Sequence, residues 1–425
     1  MKPIDKPHMT IIDRPCGTGK TSAFMRSFDP DKRYLVVTPL LSEVKRIINN
    51  ANVPFHEPTT EGESATKAED LQDLLLEGCN VVTTHKLYQQ IARLAQKGYL
   101  DGHHIIIDEV LDVCRQVDGK TPRSFQKFYL EDGFATVDKD GKVNPTALWD
   151  AEFDAVSDTL APHLYHLATA GMLYIVDGQF FMWVLPEELL RAGRSITIYT
   201  YLADGSMLLA YLRKLNIAYL HDTDADAEQA IRDKAKELIT IETIPVLEGQ
   251  AFSYSGQTKS KGKAAREKKV GNALKKLREN KLRNVSMENV LVTCAKGNWF
   301  KDGKSGSAKP TPGGFAKNSR MFTSATWISN TTRGTNEHAH CSHLVYLYNQ
   351  HMNPFIRRWL GLAHSRSADD AYALTELIQW IYRSRVRRGE PITVYMPSKR
   401  MRDLLSNWMN TPVEKFAWSG ELVRA

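Results

Sequence analysis

Residues 14–21 read R-P-C-G-T-G-K-T, between the short apolar run "MTIID" (9–13) and a helical pattern. A Gly-rich turn joining strand to helix presents successive backbone N–H groups, with the helix N-terminus behind them, to an anion such as a phosphate. Gly17, Thr18, Gly19, Lys20, Thr21 and Ser22 therefore form a candidate nucleotide-binding set. Lys20 would reach the β- and γ-phosphates and the Thr21 hydroxyl would hold Mg²⁺. The bland alternative is a Gly-rich turn with a chance Gly-Lys-Thr, and the strand and helix on either side weigh against it. Arg14 stands where the general pattern has its first Gly. That departure bears on the width of the turn and leaves two directions for its side chain, over the phosphates or away to solvent.

Hydrolysis at such a site also needs carboxylates, one near the metal and one near the attacking water. "HHIIIDEVLD" (103–112) supplies an adjacent pair at the end of an apolar strand. Asp108 would hold the ion with Thr21, and Glu109 would orient or deprotonate the water. An acidic pair at a strand end is common alone. Its separation from the phosphate loop by about three βαβ units of ~30 residues each makes the pairing specific.

These groups need a frame, and the first half provides one. "MTIID", "YLVVT" (34–38), "NVVTT" (80–84), "HIIID" (104–108) and "ITIYTY" (196–201) read as buried parallel strands. Helical patterns lie between several of them, as in "LLSEVKRIINNA" and "HKLYQQIARLAQKG", the latter closed by Gly98. Such alternation predicts a doubly wound α/β sheet. The pattern breaks over about 115–194, where "FATVDKDGKVN" and "MLYIVDGQFFMWV" are hairpin candidates, so an inserted module is expected there. The second, apolar hairpin reads as core ahead of a strand-separating pin.

A boundary is expected within Asp222–Asp233, dividing the chain into 1–228 and 229–425. The second part repeats the α/β theme with "LITIETI", "NVLVTCAK" (289–296), "HLVYLYN" (343–349) and "ITVYMPS" (392–398). Residues 259–318 stand apart: a densely basic stretch, "KSKGKAAREKKVGNALKKLRENKLR", is followed by a Gly-, Ser-, Pro- and Lys-rich loop expected to be mobile. A charge run of this kind is either a solvated helix face or a nucleic-acid contact.

The chain's 425 residues exceed what one core organises, which suggests two or three domains. Charged residues at 25% are ordinary for a globular protein and argue against general disorder. Five scattered Cys without CxxC spacing indicate neither a disulfide framework nor a zinc ribbon, and a reducing cytoplasm is expected. "EHAHCSH" gathers His338, His340, Cys341 and His343, but a second ligand pair at matched spacing is missing and structural zinc is not favoured. No apolar stretch reaches the ~18 residues of a membrane span, and no membrane partner is expected.

The order of the motifs resembles that of superfamily 2 helicases of the DEAD/DEAH-like type. A Gly-Lys-Thr loop is followed by "VVTPLL" (36–41), "VVTTHK" (81–86) and the Asp-Glu box at 108–111. "TYLADGS" (200–206) sits where that family's third motif couples hydrolysis to strand movement, with a departure from the usual Ser-Ala-Thr. "SNTTRGTN" (329–336) is similar to the fifth motif, with Asn336 in place of an acid, and "QWIYRSRVRR" (379–388) to the sixth.

The resemblance implies two RecA-like parallel-sheet domains in tandem, with an inserted module in the first. It implies ATP and Mg²⁺ as cofactors and Gln379, Arg383 and Arg387 as groups of the second domain aimed at the γ-phosphate. At a spacing of four these three would share one helix face, with Arg385 competing for the role of arginine finger. It further implies nucleic acid as partner, a single strand of DNA in preference to RNA, contacted by Thr38, Thr84, His85, Lys86 and Arg333, with ATP and water as the only small substrates. The segment 376–405 resembles proteins of bacteriophages and mobile elements, which implies a bacterial host cytoplasm and replication proteins as further partners. The implied activity is nucleic-acid-stimulated ATP hydrolysis by a helicase or translocase in phage replication or recombination. Two alternatives stand beside it: a branch-migration or protein-remodelling motor without processive unwinding, and a non-catalytic nucleic-acid-binding protein on a degenerate ATPase fold.

Overall fold

The computed structural model describes residues 8–60, 66–117, 122–152, 161–178, 180–301, 311–320, 322–332, 334, 337–413 and 421–423. Strands β1 (Met9–Asp13), β2 (Tyr34–Thr38), β3 (Val81–Thr84) and β4 (His104–Asp108) open the chain. Five short strands follow: β5 (Cys114–Gln116), β6 (Ala135–Val137), β7 (Val143–Pro145), β8 (Leu173–Val176) and β9 (Phe180–Val184). Strands β10 (Ser195–Thr200) and β11 (Tyr219–Thr223) return to the first sheet. The remainder holds β12 (Ile239–Glu242), β13 (Val290–Thr293), β14 (Thr326–Trp327), β15 (His343–Tyr346), β16 (Ile392–Tyr395) and β17 (Glu421–Val423).

The first sheet has the order β17-β11-β1-β10-β4-β2-β3 and is parallel apart from β17, which runs antiparallel to β11. Its strands are near-continuously apolar because both faces are covered. Successive Cβ atoms alternate, so Leu35, Val37, Ile105 and Ile107 enter one core while Val36, Val82 and Ile106 enter the other. The second sheet, β12-β16-β15-β13-β14, is wholly parallel and is covered in the same way. Leu344, Tyr346 and Val394 face the helix Arg366–Ile381, and Val290, Val292 and Val345 face the helix Lys263–Asn280.

Between β4 and β10 the chain builds a three-stranded antiparallel sheet, β5-β9-β8, and the hairpin β6-β7. Phe125, Tyr129, Trp149 and Phe181 form a separate small core beneath them. All five residues of β9 are buried, so the apolar hairpin is core.

One expectation is corrected. The helix Arg366–Ile381 stops before Arg383, so Gln379, Arg383 and Arg387 do not share a helix face. The buried Ser384 donates its hydroxyl to the Ile381 carbonyl (2.7 Å), a local bond that competes with helix continuation. Its backbone is extended (φ −89°, ψ −175°), and a 3-10 turn, Arg385–Arg388, follows and ends at Gly389 with φ +80°.

Candidate active site

β1 lies between β11 and β10, and the loop leaving its carboxyl end occupies the position where open α/β sheets bind ligands. Gly17 (φ +84°) and Gly19 (φ +78°) adopt the left-handed region that favours glycine, and helix Lys20–Met25 begins directly after them. Lys20 Nζ donates to the carbonyl oxygens of Arg14 and Thr200, each at 2.8 Å. The ammonium is thus held inside the loop by main-chain acceptors. Thr18 is turned to the Pro15 carbonyl (3.0 Å) and does not line the cavity described below.

Arg14 follows neither of its expected directions. Its guanidinium pairs with Asp222 of β11, through the carboxylate at 2.8 Å and the carbonyl at 2.6 Å. The residue at the unusual position therefore ties the loop to the neighbouring strand and leaves the phosphate position open.

A cavity of about 500 Å³ opens in front of the loop, lined by Gly17, Gly19, Lys20, Thr21, Ser22, Asp108 and Glu109 from the first sheet and by Arg383 and Arg387 from the second. Thr21 Oγ1 donates to Asp108 Oδ2 at 3.0 Å. Asp108 is 7% exposed, and burial pushes its carboxyl up to about 7, with the charge of Glu109 adding to the rise and Thr21 and Lys20 opposing it. A hydroxyl and a buried carboxylate oxygen side by side form a hard-oxygen donor set that fits Mg²⁺, and the cationic loop beside them fits a phosphate chain. Glu109 sits at φ +64°, a conformation that costs a non-glycine residue of the order of 1–3 kcal/mol and is characteristic of functional sites. Its backbone N–H donates to the Tyr199 carbonyl (2.8 Å), so the strand pairing holds the turned conformation.

From the second sheet, Arg383 Nη2 lies 3.8 Å from Glu109 Oε1, with the Arg383 side chain 3% exposed. Arg387 packs over the loop, where a Cβ at Gly17 would meet its Cγ at 3.6 Å. Arg385 points elsewhere and donates to the Pro391 carbonyl at 2.6 Å. Gln379 does not line the cavity either. Its amide donates to the Tyr201 carbonyl at 3.1 Å, and Thr375 on the same helix donates to the Leu202 carbonyl at 3.0 Å. These bonds fasten the "TYLADGS" turn of the first half to the second. Asp13 holds the same turn from below by accepting from the backbone N–H groups of Leu202 and Ala203, both at 2.8 Å.

Sequence reasoning missed Cys16, Glu43, Arg46 and Gly334, which also line the cavity. Arg46 pairs with Glu43 (2.8 Å), three residues earlier on the same helix, and reaches Ser22 (2.9 Å) on another helix, a contact no spacing signals.

The expected nucleic-acid contacts separate into two groups. His85 and Lys86 line a second cleft of about 560 Å³, bounded by Pro39 and Leu40, by Arg115 and Trp183 of the inserted region, and by Thr331 and Glu376 of the second half. His85 also bonds the Asp108 carbonyl through Nε2 (2.8 Å), which links this cleft to the carboxylate pair. Thr38 and Thr84 do not line the cleft, because their hydroxyls serve local structure. Thr38 donates to the Leu40 carbonyl, and Thr84 caps helix His85–Tyr88 by accepting from Leu87 N–H. Arg333 lies outside the described residues. Among the described residues no group of three His, Cys, Asp or Glu side chains is placed to hold a metal, and no helix is long and apolar enough to cross a membrane.

Comparison with known proteins bears on the fold. Residues 233–409 match the family described as the YonV C-terminal Rossmann-like domain. Over 420 residues the chain is 27% identical to the SPbeta prophage-derived protein YonV of Bacillus subtilis (strain 168), covering 94% of this chain and 98% of that one. A structure of XPD in its apo form is similar with a TM-score of 0.50 and 14% identity over 94% of each chain. A structure titled XPD helicase is similar with a TM-score of 0.50 and 12% identity over 95% of this chain and 94% of the other. With its two parallel sheets, the chain has an α/β fold of two RecA-like domains in tandem, similar to that of the XPD structures.

Proposed function

We propose that this protein is an ATP-dependent helicase or translocase that moves along one strand of nucleic acid, DNA in preference to RNA. The observation that carries the reading is the convergence on one cavity of Lys20, Thr21, Asp108 and Glu109 from the first sheet with Arg383 and Arg387 from the second. Lys20 and the backbone of Gly17–Thr21 bind the phosphates, and Thr21 and Asp108 hold Mg²⁺, which supplies positive charge against the phosphate oxygens. Glu109 accepts the proton of the attacking water, and Arg383 and Arg387 offset charge on the phosphoryl group from the opposite side. Segments 1–228 and 229–425 are the two bodies that close and reopen, except that β17, paired with β11, moves with the first. Tyr201 and Leu202, bonded to Gln379 and Thr375, carry that movement between them. The strand runs through the cleft of His85 and Lys86. The prophage-derived relative supports a role in phage replication or recombination within a bacterial cytoplasm.

The test is ATP turnover with and without single-stranded DNA. Lys20→Ala and Glu109→Gln should each lose at least a hundredfold in kcat, in the range found when one transition-state group is removed. Near wild-type turnover in both would sink the assignment. Strand displacement on forked, blunt and four-way DNA then separates an unwinding enzyme from a remodelling motor.

A further inference from the structure

The stretch 259–283 holds eleven Lys or Arg and two Glu, a net charge of +9 against +7 for the whole chain. The other 400 residues together carry a net −2, so the protein's entire positive excess sits in one segment. Most of it is the helix Lys263–Asn280, 18 residues and about 27 Å long at ~1.5 Å per residue. Val270, Ala273, Leu274 and Leu277 anchor its inner side to the core on one face of the second sheet. Lys268, Lys269, Asn272, Lys275 and Lys276 follow the i, i+1, i+4, i+7, i+8 pattern and are exposed along its outer side.

An ordinary solvated helix face interleaves both signs of charge. Here the two Glu are each matched to a Lys four residues earlier, Glu267 to Lys263 and Glu279 to Lys275, both at 3.8 Å, and Lys281 reaches Glu242 at 3.5 Å. Lys259, Lys261, Lys268, Lys269 and Lys276 make no ion pair among the described residues. Beside the first turn a shallow cavity of about 790 Å³ is lined by Lys259, Lys261, Arg266 and Lys269 together with the hydroxyl residues Ser253 and Ser255.

We propose that this helix and the lysines before it form a second nucleic-acid contact that grips the phosphodiester backbone outside the cleft between the two sheets. A linear row of point charges matches a linear row of phosphates, and lysines bind them without reading bases, which permits sliding. The contact lies on the face of the second sheet opposite the helix that leads to Arg383, so it holds the strand without entering the ATP site. The inference rests on the proposed action on nucleic acid and adds a surface that the cleft does not contain.

The experiment compares wild type with two five-fold variants, Lys→Gln and Lys→Arg at 259, 261, 268, 269 and 276. Binding of fluorescein-labelled single-stranded and duplex DNA is followed by anisotropy across a salt series, and ATP turnover is measured without DNA. The Gln variant should keep its DNA-free turnover while the slope of log Kd against log salt shrinks by about 0.7 per lysine on single strands, about 3.5 in all. The Arg variant should keep the wild-type slope. A Gln variant with the wild-type slope overturns the inference, as does loss of binding to phosphatidylserine vesicles with DNA binding intact. A wild type that neither hydrolyses ATP nor binds DNA defeats the proposed function itself.

Discussion

Arg383 and Arg387 approach the same cavity, but removing each leaves a different defect. Arg383 is buried beside Glu109, so its loss strips a carboxylate of its cationic neighbour, whereas Arg387 is exposed over the loop. Truncating one partner of a buried pair costs about 3 kcal/mol or more, and an arginine finger contributes about a thousandfold or more to turnover. Arg387→Ala should therefore lower kcat about a thousandfold with an unchanged urea midpoint. Arg383→Ala should lower both. Arg385→Ala, whose side chain is bonded to the Pro391 carbonyl, should leave kcat in place. Phosphate release and urea titration of the three variants check this, and a larger kcat loss in Arg385→Ala than in Arg387→Ala would reverse the assignment.

At the scale of elements, the turn after β10 is one of the places where the two halves touch. Leu202 has φ +55°, and Gly205 packs so closely on the helix Arg366–Ile381 that a Cβ there would collide with Thr375 Oγ1 and the Ala371 carbonyl. Gly205→Ala must push the turn off that helix, at about 1–3 kcal/mol of overpacking strain. It should lower DNA stimulation of the ATPase more than DNA-free turnover, a split read from the two rates. Asp13, the carboxylate at the end of β1 that holds this turn, also gives rise to a pH dependence through His221 of β11. Burial alone would lower the His221 imidazole pKa, but the hydrogen bond and charge of Asp13 (3.2 Å) outweigh it and raise the pKa above 6.5. A raised folded-state pKa adds stability that is fully present below the unfolded value and is lost as pH rises through the folded one. The urea midpoint of wild type relative to that of His221→Gln should thus fall as pH rises from about 6 to about 9. A difference that grows over this range would contradict the pairing.

For the whole molecule, the cavity exists only because two separately built sheets face each other across it. Each has cores on both faces, and each core on the facing side takes side chains from the other half: Met352, Ile356 and Leu360 join the core of the first sheet, and Tyr201 joins that of the second. A ligand seated between them should protect both at once. With a non-hydrolysable ATP analogue and Mg²⁺, amide hydrogen exchange should slow together in residues 14–25 and 381–388. Lys20→Ala should abolish both effects. Protection confined to the first segment would mean that the nucleotide binds one body without drawing in the other.

Features set by neighbours in the chain were legible in the sequence. Gly17, Gly19, Lys20 and Thr21 lie in one turn, and the apolar runs that became β1, β2, β4, β13 and β16 must be buried on both faces whatever surrounds them. Asp108 and Glu109 could be matched to the loop because parallel strands of one sheet end at the same edge. What tertiary structure alone decided is where the long side chains went and where the last helix stopped. Arg14 took a carboxylate 208 positions away, Gln379 took a carbonyl 178 positions away, and Arg46 found Ser22 across two helices. Ser384 ended the helix with its hydroxyl while the backbone N–H of Arg385 turned to the Cys341 carbonyl. A flexible polar side chain has many rotamers of similar energy in the isolated chain. The acceptor that selects one of them is created only when distant segments pack.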